Sequence, residues 1–259
     1  MKVYYMNGAG NDFMVMDARD DETRDFAAMA VEYCRITGAD GFMAVGVSET
    51  ADFRLHFYNS DGTRGEMCGN GARCICRFAH DMGIAGAEMV VQTDAGLVPG
   101  WRIDENQYRV KLNNPSIIDL NRKGEVAYAE LGNPGVPHAV MEYKGDLWGD
   151  KESLKEQMRA LRFDPTFPKG ANVNFYQVMG EDEVRLLTFE RGVEDYTLAC
   201  GTGTGSTAAV MRLRGQMTGH VLTAHNPGGT LKITVGNEGN TVTSILLEGP
   251  TAFVKTFDL

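Results

Sequence analysis

The sequence predicts a mixed α/β fold of the α+β kind, built from two similar halves, each a strand-rich layer around one main helix. Three observations carry this. Extended and helical patterns alternate along the 259 residues. Two blocks about half a chain apart, "MCGNGARC" (67–74) and "ACGTGTGS" (199–206), each set a cysteine directly before a glycine where a helical pattern begins. The flanks repeat as well: "FRLHFYN" and "VRLLTFE" precede the two blocks, and "TDAGLV" and "NPGGTL" follow them, each between two strand-like runs.

Taken in order, "KVYYM" and "FMVMD" read as strands. From 24 to 38 the apolar positions Phe26, Met29, Ala30, Tyr33 and Ile36 keep helical spacing, and Gly38 suits a C-terminal cap. "FMAVGV" and "ADFRLHFYN" are extended. A helix follows over 70–82, with Gly83 after it, then strands "EMVVQT", "GLVPGWRI" and "QYRVKL". "NNPSIIDLNRKGE" is the expected crossover between halves. Beyond it come a strand "HAVMEY", a helix over 152–161, strands "ANVNFYQV" and "EVRLLTFE", and a helix over 202–214. "VLTAH", "TLKITV" and "TVTSILLE" close the half, and "AFVKTF" is expected to return to the first. "GAGNDFMVMD" reads as echoed by "GANVNFYQVM" from Gly170. The expected division is 1–115 plus 250–259 for the half carrying Cys68, and 116–249 for the half carrying Cys200. Repeats this long are no solenoid.

A formal net charge of -10 argues against nucleic acid or an anionic membrane surface as partner. No run approaches the roughly 18 apolar residues of a membrane span, and "MKVYYMNGAGNDF" lacks the apolar core of a signal peptide. Five cysteines, an odd number, favour reduced thiols and the cytosol.

A cysteine at a helix N-terminus lies beside unpaired backbone N–H groups and the positive end of the helix dipole, which favours the thiolate. Adjacent glycines let those N–H groups approach a carboxylate or oxyanion. Two such sites suggest two acid/base groups on opposite faces of one carbon, as stereoinversion requires. A small zwitterionic amino acid is the expected substrate, because its weakly acidic α-proton needs such stabilisation. A structural role is the alternative for each cysteine taken alone. Zinc fits poorly, since Cys74 and Cys76 fall inside the predicted helix and no C-x-x-C pair occurs. "GAGNDF" is followed by an extended run where a dinucleotide loop needs a helix, and "CGTGTGS" lacks a phosphate-loop lysine.

Through "GAGNDF", "YNSDGTRGEMCGNGARC", "GANVNF", "FERGVEDYTLACGTGTGS" and "NPGGTL", nearly the whole chain resembles the diaminopimelate epimerases, cofactor-independent enzymes of the lysine and peptidoglycan pathways. The resemblance implies two pseudo-symmetric halves, each a layer or barrel round a central helix, with the active-site cleft between them. It implies a homodimer, no metal and no cofactor, with Cys68 and Cys200 as the acid/base pair. Gly69, Asn70, Gly201 and Thr202 would hold the reacting carboxylate through backbone N–H groups. Asn11, Asn59, Asn172, Glu190 and Arg191 would hold the distal end, where a carboxylate suits an ammonium and a guanidinium grips a carboxylate. His138 matches the family histidine and would accept a proton, with Glu190, to help ionise a thiol; a hydrogen-bonded structural histidine is the alternative.

Two departures bear on the substrate. Val136 stands in "GVPH" where the family often has Asn, and a second "GNP" lies at 132–134. Glu194, Asp195 and Tyr196 replace a shorter pattern before Cys200. Val136 favours another racemase of the superfamily, such as a histidine racemase, as the alternative. A non-catalytic amino-acid-binding protein is a third reading, against which the paired thiols speak.

Overall fold

The computed structural model describes residues 1–65 and 67–258. The chain divides into two units, Met1–Lys111 with Glu248–Leu259, and Leu112–Leu247. In chain order the elements are β1 (Lys2–Gly8), β2 (Asn11–Asp17), α1 (Phe26–Thr37), β3 (Gly41–Gly46), β4 (Phe53–Asn59), α2 (Gly69–Asp81), β5 (Glu88–Thr93), β6 (Gly96–Arg102) and β7 (Gln107–Leu112). Then come β8 (Pro115–Lys123), β9 (Val126–Gly132), β10 (Gly135–Glu142), α3 (Lys151–Arg162), β11 (Asn172–Gly180), β12 (Glu183–Glu190), β13 (Asp195–Thr197) and α4 (Gly201–Leu213). β14 (Val221–Asn226), β15 (Gly229–Glu238), β16 (Thr241–Pro250) and β17 (Ala252–Asp258) complete the chain. The fold is mixed α/β and strand-rich, as expected.

In the first unit the strands lie in the order β17, β1, β2, β3, β4, β5, β6, β7. All these neighbours are antiparallel except β2–β3 and β4–β5. Parallel neighbours need a crossover, and α1 and α2 supply the two crossovers. The second unit repeats the plan in the order β8, β9, β10, β11, β12, β14, β15. Its parallel pairs are β10–β11 and β12–β14, crossed by α3 and α4, with β13 added to β12.

Alternation along the strands sends successive side chains to two helices. Met14, Met16, Phe42 and Ala44 pack with Phe26, Ala30 and Cys34 of α1. Phe13 and Met43 point the other way, against Gly71 of α2. α2 touches β1, β2, β3 and β6 and is buried without a break from Gly69 to Ala79. Such a central helix fits only where the strands yield space. A Cβ on Gly8 would lie 2.8 Å from the Cys74 sulfur, and one on Gly100 2.5 Å from that of Cys76. In the second unit Leu154, Met158 and Leu161 of α3 pack on Val173 and Phe175, while Asn174 between them faces Gly203 of α4. No helix among the described residues is long and apolar enough to cross a membrane.

α1 shows the expected C-terminal cap and, in addition, an N-cap. Asp25 accepts a hydrogen bond from Ala28 N, and Gly38 caps the C-terminus at φ 77° with its N–H on Cys34 O. A Cβ on Gly38 would meet nothing within 4 Å. Gly38→Ala therefore costs only the left-handed backbone, about 1 kcal/mol, read as a lower denaturant midpoint. Gly8→Ala costs more, because its Cβ meets Asn70 O and the Cys74 sulfur.

Three readings need correction. The expected crossover over 113–125 contains strand β8, which forms a hairpin with the unforeseen β9. The side chains of β8 are all exposed or half-buried, so it lacks an apolar alternation. β13 was likewise unforeseen. The counterpart of "GANVNFYQVM" is β3, not "GAGNDFMVMD": Gly38 and Gly170, at φ 77° and 64°, each end a crossover and lead into the second strand of a parallel pair.

Candidate active site

Cys68 and Cys200 are the N-cap residues of the two buried central helices, both extended, at φ -124° and -115°. The backbone oxygen of each accepts from four residues on, Ala72 N at 2.7 Å and Thr204 N at 2.9 Å. The Cys200 sulfur accepts from Gly203 N at 3.3 Å and lies 3.6 Å from Thr202 Oγ1. Gly203 is required there, since a Cβ would lie 2.2 Å from Asn174 Oδ1. Cys74 and Cys76, fully buried inside α2, are pushed up to about 12 by desolvation, and Cys34 to about 11. Those three thiols stay protonated at neutral pH, whereas Cys68 is half-exposed at its helix end. The described residues contain no His/Cys/Asp/Glu group suited to a metal ion.

In the first unit Gly69 and Asn70 form the first turn of α2, and Asn70 Nδ2 donates to Asn11 Oδ1 at 2.6 Å. Asn11 in turn donates to Asp40 Oδ2 at 3.1 Å. Asn59 lies at the end of β4, opposite Gly41, exposed, and donates to Thr63 Oγ1. Asn11 and Asn59 therefore sit at one end of the β2–β3–β4 run.

In the second unit, Gly201 and Thr202 open α4. Asn172 pairs with His138 across β10 and β11, and its Oδ1 accepts from Arg191 N at 2.8 Å. Glu190 ends β12, so Asn172, His138, Glu190 and Arg191 are neighbours. The exposed Arg191 also donates through Nη1 to Lys169 O.

His138, the expected proton acceptor, stands on β10. It is wholly buried, and burial first, then the Arg191 charge, lowers it to about 3. Asn174 Nδ2 reaches His138 Nδ1, Ala139 O and Asn172 O, while Asn174 Oδ1 accepts from Thr188 Oγ1. The two carbonyls mark that atom as the amide nitrogen, and burial keeps the neighbouring imidazole neutral at working pH. Because the folded value lies below the ordinary 6.5, the unfolded chain binds a proton that the native one refuses between pH 6.5 and about 3. Stability then falls as pH drops through that window, by about 1.4 kcal/mol per pH unit for one proton. His138→Asn should remove that part of the slope, measured by denaturant titration at pH 4 to 7.

Several residues of this region were not foreseen. Asn174 and Thr188 form the buried relay behind His138. Arg73 is fully buried in α2, with Nη1 3.3 Å from Gly69 O. Glu130 of β9 is buried, bonded to Tyr128 OH and Lys169 Nζ. The sequence signal for Arg73 was a charge inside an apolar helix; Asn174 and Thr188 break apolar strands in the same way. The departures also find places. Gly132, Asn133 and Pro134 lie at the β9–β10 turn, so they do not supply an Asn at the position of Val136, which is 37% exposed. Glu194, Asp195 and Tyr196 tie β13 to α3, through Arg162, Lys155 and the Lys151 carbonyl.

The diaminopimelate epimerase family model matches residues 3–118 and 132–254. The diaminopimelate epimerase of Aquifex aeolicus (strain VF5) is 38% identical over 234 residues, 83% of this chain and 82% of that one. That of Chlorobaculum tepidum is 36% identical over 251 residues, 95% and 96% of the two chains. Among solved structures, a phenazine biosynthesis protein of the PhzF family from Bacillus anthracis superposes with TM-score 0.74 at 14% identity, covering 100% of this chain and 98% of that one. A hydroxyproline epimerase from Agrobacterium vitis does so with TM-score 0.66 at 16% identity, covering 99% and 90%. At such identities the structures speak for the fold alone. With the family model spanning most of the chain, and relatives above 30% identity along most of their length, this chain is an isomerase that belongs to the diaminopimelate epimerase family.

Proposed function

We propose that the chain interconverts LL- and meso-diaminopimelate by two-base proton transfer, with Cys68 and Cys200 as the acid/base pair and no cofactor. The observation that carries the reading is the matched pair of N-cap cysteines, one on the buried central helix of each like-built unit. One thiolate removes the α-proton, and the C–H electrons pass into the carboxylate as an enolate-like dianion. The other thiol then gives its proton to the opposite face, the electron pair forms the new C–H bond, and thiol and thiolate have exchanged places. The developing charge needs donors already in position, and the first-turn N–H groups at Gly69, Asn70, Gly201 and Thr202 are such donors.

Asn11, Asn59, Asn172, Glu190 and Arg191 hold the distal amino acid end in this reading. His138 is the family histidine of this reading, buried and neutral, within hydrogen-bond distance of Asn174. A cytosolic homodimer goes with the reading, and light scattering tests the oligomer. Val136 favours the second reading, a racemase for a monocarboxylic amino acid, because an apolar side chain stands where a polar distal contact is expected. The test is kcat/KM for LL-diaminopimelate against L-histidine and other monocarboxylic amino acids, without added cofactor. The proposal expects a preference of about a hundredfold or more for diaminopimelate, equivalent to about 2.7 kcal/mol. The opposite ratio would retire it in favour of the second reading.

A further inference from the structure

Three residues of α3, Lys151, Lys155 and Arg162, share one helix face and reach the segment after β12. The Lys151 carbonyl accepts from Tyr196 OH at 2.6 Å, and Lys155 Nζ pairs with Asp195 at 2.7 Å. Arg162 Nε and Nη2 donate to Glu194 Oε1 at 3.1 and 2.8 Å. The Arg162 side chain is only 14% exposed, against 36% for Lys155, so its pair is the less screened of the two. Glu194 closes the turn that carries Glu190 and Arg191. Its backbone N–H donates to Glu190 O at 2.8 Å, and its Oε1 accepts from Gly192 N at 2.9 Å. It does so at φ 58°, a left-handed backbone that is costly for a residue with a Cβ. Glycine would make the same turn without that cost. What glycine lacks is the carboxylate that meets Arg162. The Gly192 N–H first, then Arg162, hold that carboxyl below the usual range, so it is ionised at working pH. Arg162 also braces the far side of Arg191. A Cβ on Gly170 would lie 2.2 Å from Arg162 Nη1, so the guanidinium fills the space that Gly170 leaves. Gly170 follows Lys169, whose carbonyl accepts from Arg191 Nη1 at 2.9 Å. Arg162 thus touches both the turn that carries the Arg191 backbone and the loop that receives its side chain.

We propose that Arg162 and Glu194 set the place of the Arg191 guanidinium, and through it the preference for a substrate with a distal carboxylate. Both act through Arg191 rather than on the substrate, so they are positioning residues. A guanidinium grips a carboxylate through two parallel hydrogen bonds, and that fork tolerates little displacement. α3 is a firm base for it, because Leu154, Met158 and Leu161 are buried in one core with Val173 and Phe175. The inference rests on the reading that Arg191 holds the distal end.

The test is a double-mutant cycle on the whole protein, read as KM and kcat for LL-diaminopimelate, with circular dichroism as the check of folding. Glu194→Gly keeps the left-handed turn and removes the carboxylate. It should raise KM about fivefold or more, the coupling expected within one ion-pair network, with kcat changed less than about twofold. Arg162→Met should do the same. Arg162→Lys keeps the charge without the fork and should fall between it and the wild type. In an Arg191→Ala background neither Glu194→Gly nor Arg162→Met should raise KM further. A turn that needs only its shape would be unmoved by Glu194→Gly. That result, or an effect that persists at full size without Arg191, would overturn the proposal. Should Arg162→Met not fold, Glu194→Gly decides, because it relieves the backbone. An unmoved KM in Arg191→Ala alone would instead defeat the distal reading, and the proposal with it.

Discussion

Cys68→Ala and Cys200→Ala each lower epimerisation by about a thousandfold or more, while the protein stays folded. A positioned acid or base contributes roughly 10²–10⁴ in rate, and in the proposed mechanism each sulfur serves one face of the carbon, so no second group replaces either. Both positions are helix N-caps whose backbone oxygens accept the first helix hydrogen bonds, the Cys200 sulfur adding one cap bond from Gly203 N. Removing a sulfur therefore leaves α2 and α4 closed. Cys74→Ala is the matched control: that thiol is buried and protonated, so its loss should affect stability rather than the chemical step. The measurement is kcat in both directions together with circular dichroism. Substantial turnover in either N-cap variant would contradict the pair.

Arg191→Ala lowers kcat/KM for diaminopimelate by about ten- to a hundredfold, the loss of a charge-assisted fork worth roughly 1.5–3 kcal/mol. Among the described residues only Nη1 of its guanidinium is engaged, on the Lys169 carbonyl, and the group is exposed. The backbone N–H of Arg191 on Asn172 survives the substitution, so the strand end keeps its place. The loss should appear mainly in KM, because the distal end is held alike in ground and transition states. A monocarboxylic amino acid should show no such loss. An equal fall for both substrates would mean that Arg191 supports the fold or the reacting centre.

Much of this was legible before the structure. The twin cysteine blocks, the Gly38 cap of α1 and most strands follow from periodicity and from the chemistry of helix ends. What escaped notice did so for physical reasons. β8 carries polar side chains on both faces and buries none, so it has no period of two to read. β9 is buried at every position, so it does not alternate either. α2 has no solvent face from Gly69 to Ala79, so the burial of Arg73 comes from the strands packed round it and not from helical spacing. The state of His138 depends on its burial beside Asn174, a fact of tertiary placement. Asn174 reads in sequence only as a polar residue in a strand.

The most direct test of two bases acting on one carbon is the fate of the α-proton in D2O. LL- or meso-diaminopimelate is incubated with the wild-type protein, and product and remaining substrate are analysed by mass spectrometry within the first few per cent of conversion. A thiol already exchanged with solvent delivers the incoming atom, so early product should carry one deuterium at the inverted carbon while remaining substrate carries almost none. The same result is expected in both directions. Early product that retains the original proton would mean that a single base carries it from one face to the other, and would contradict the account.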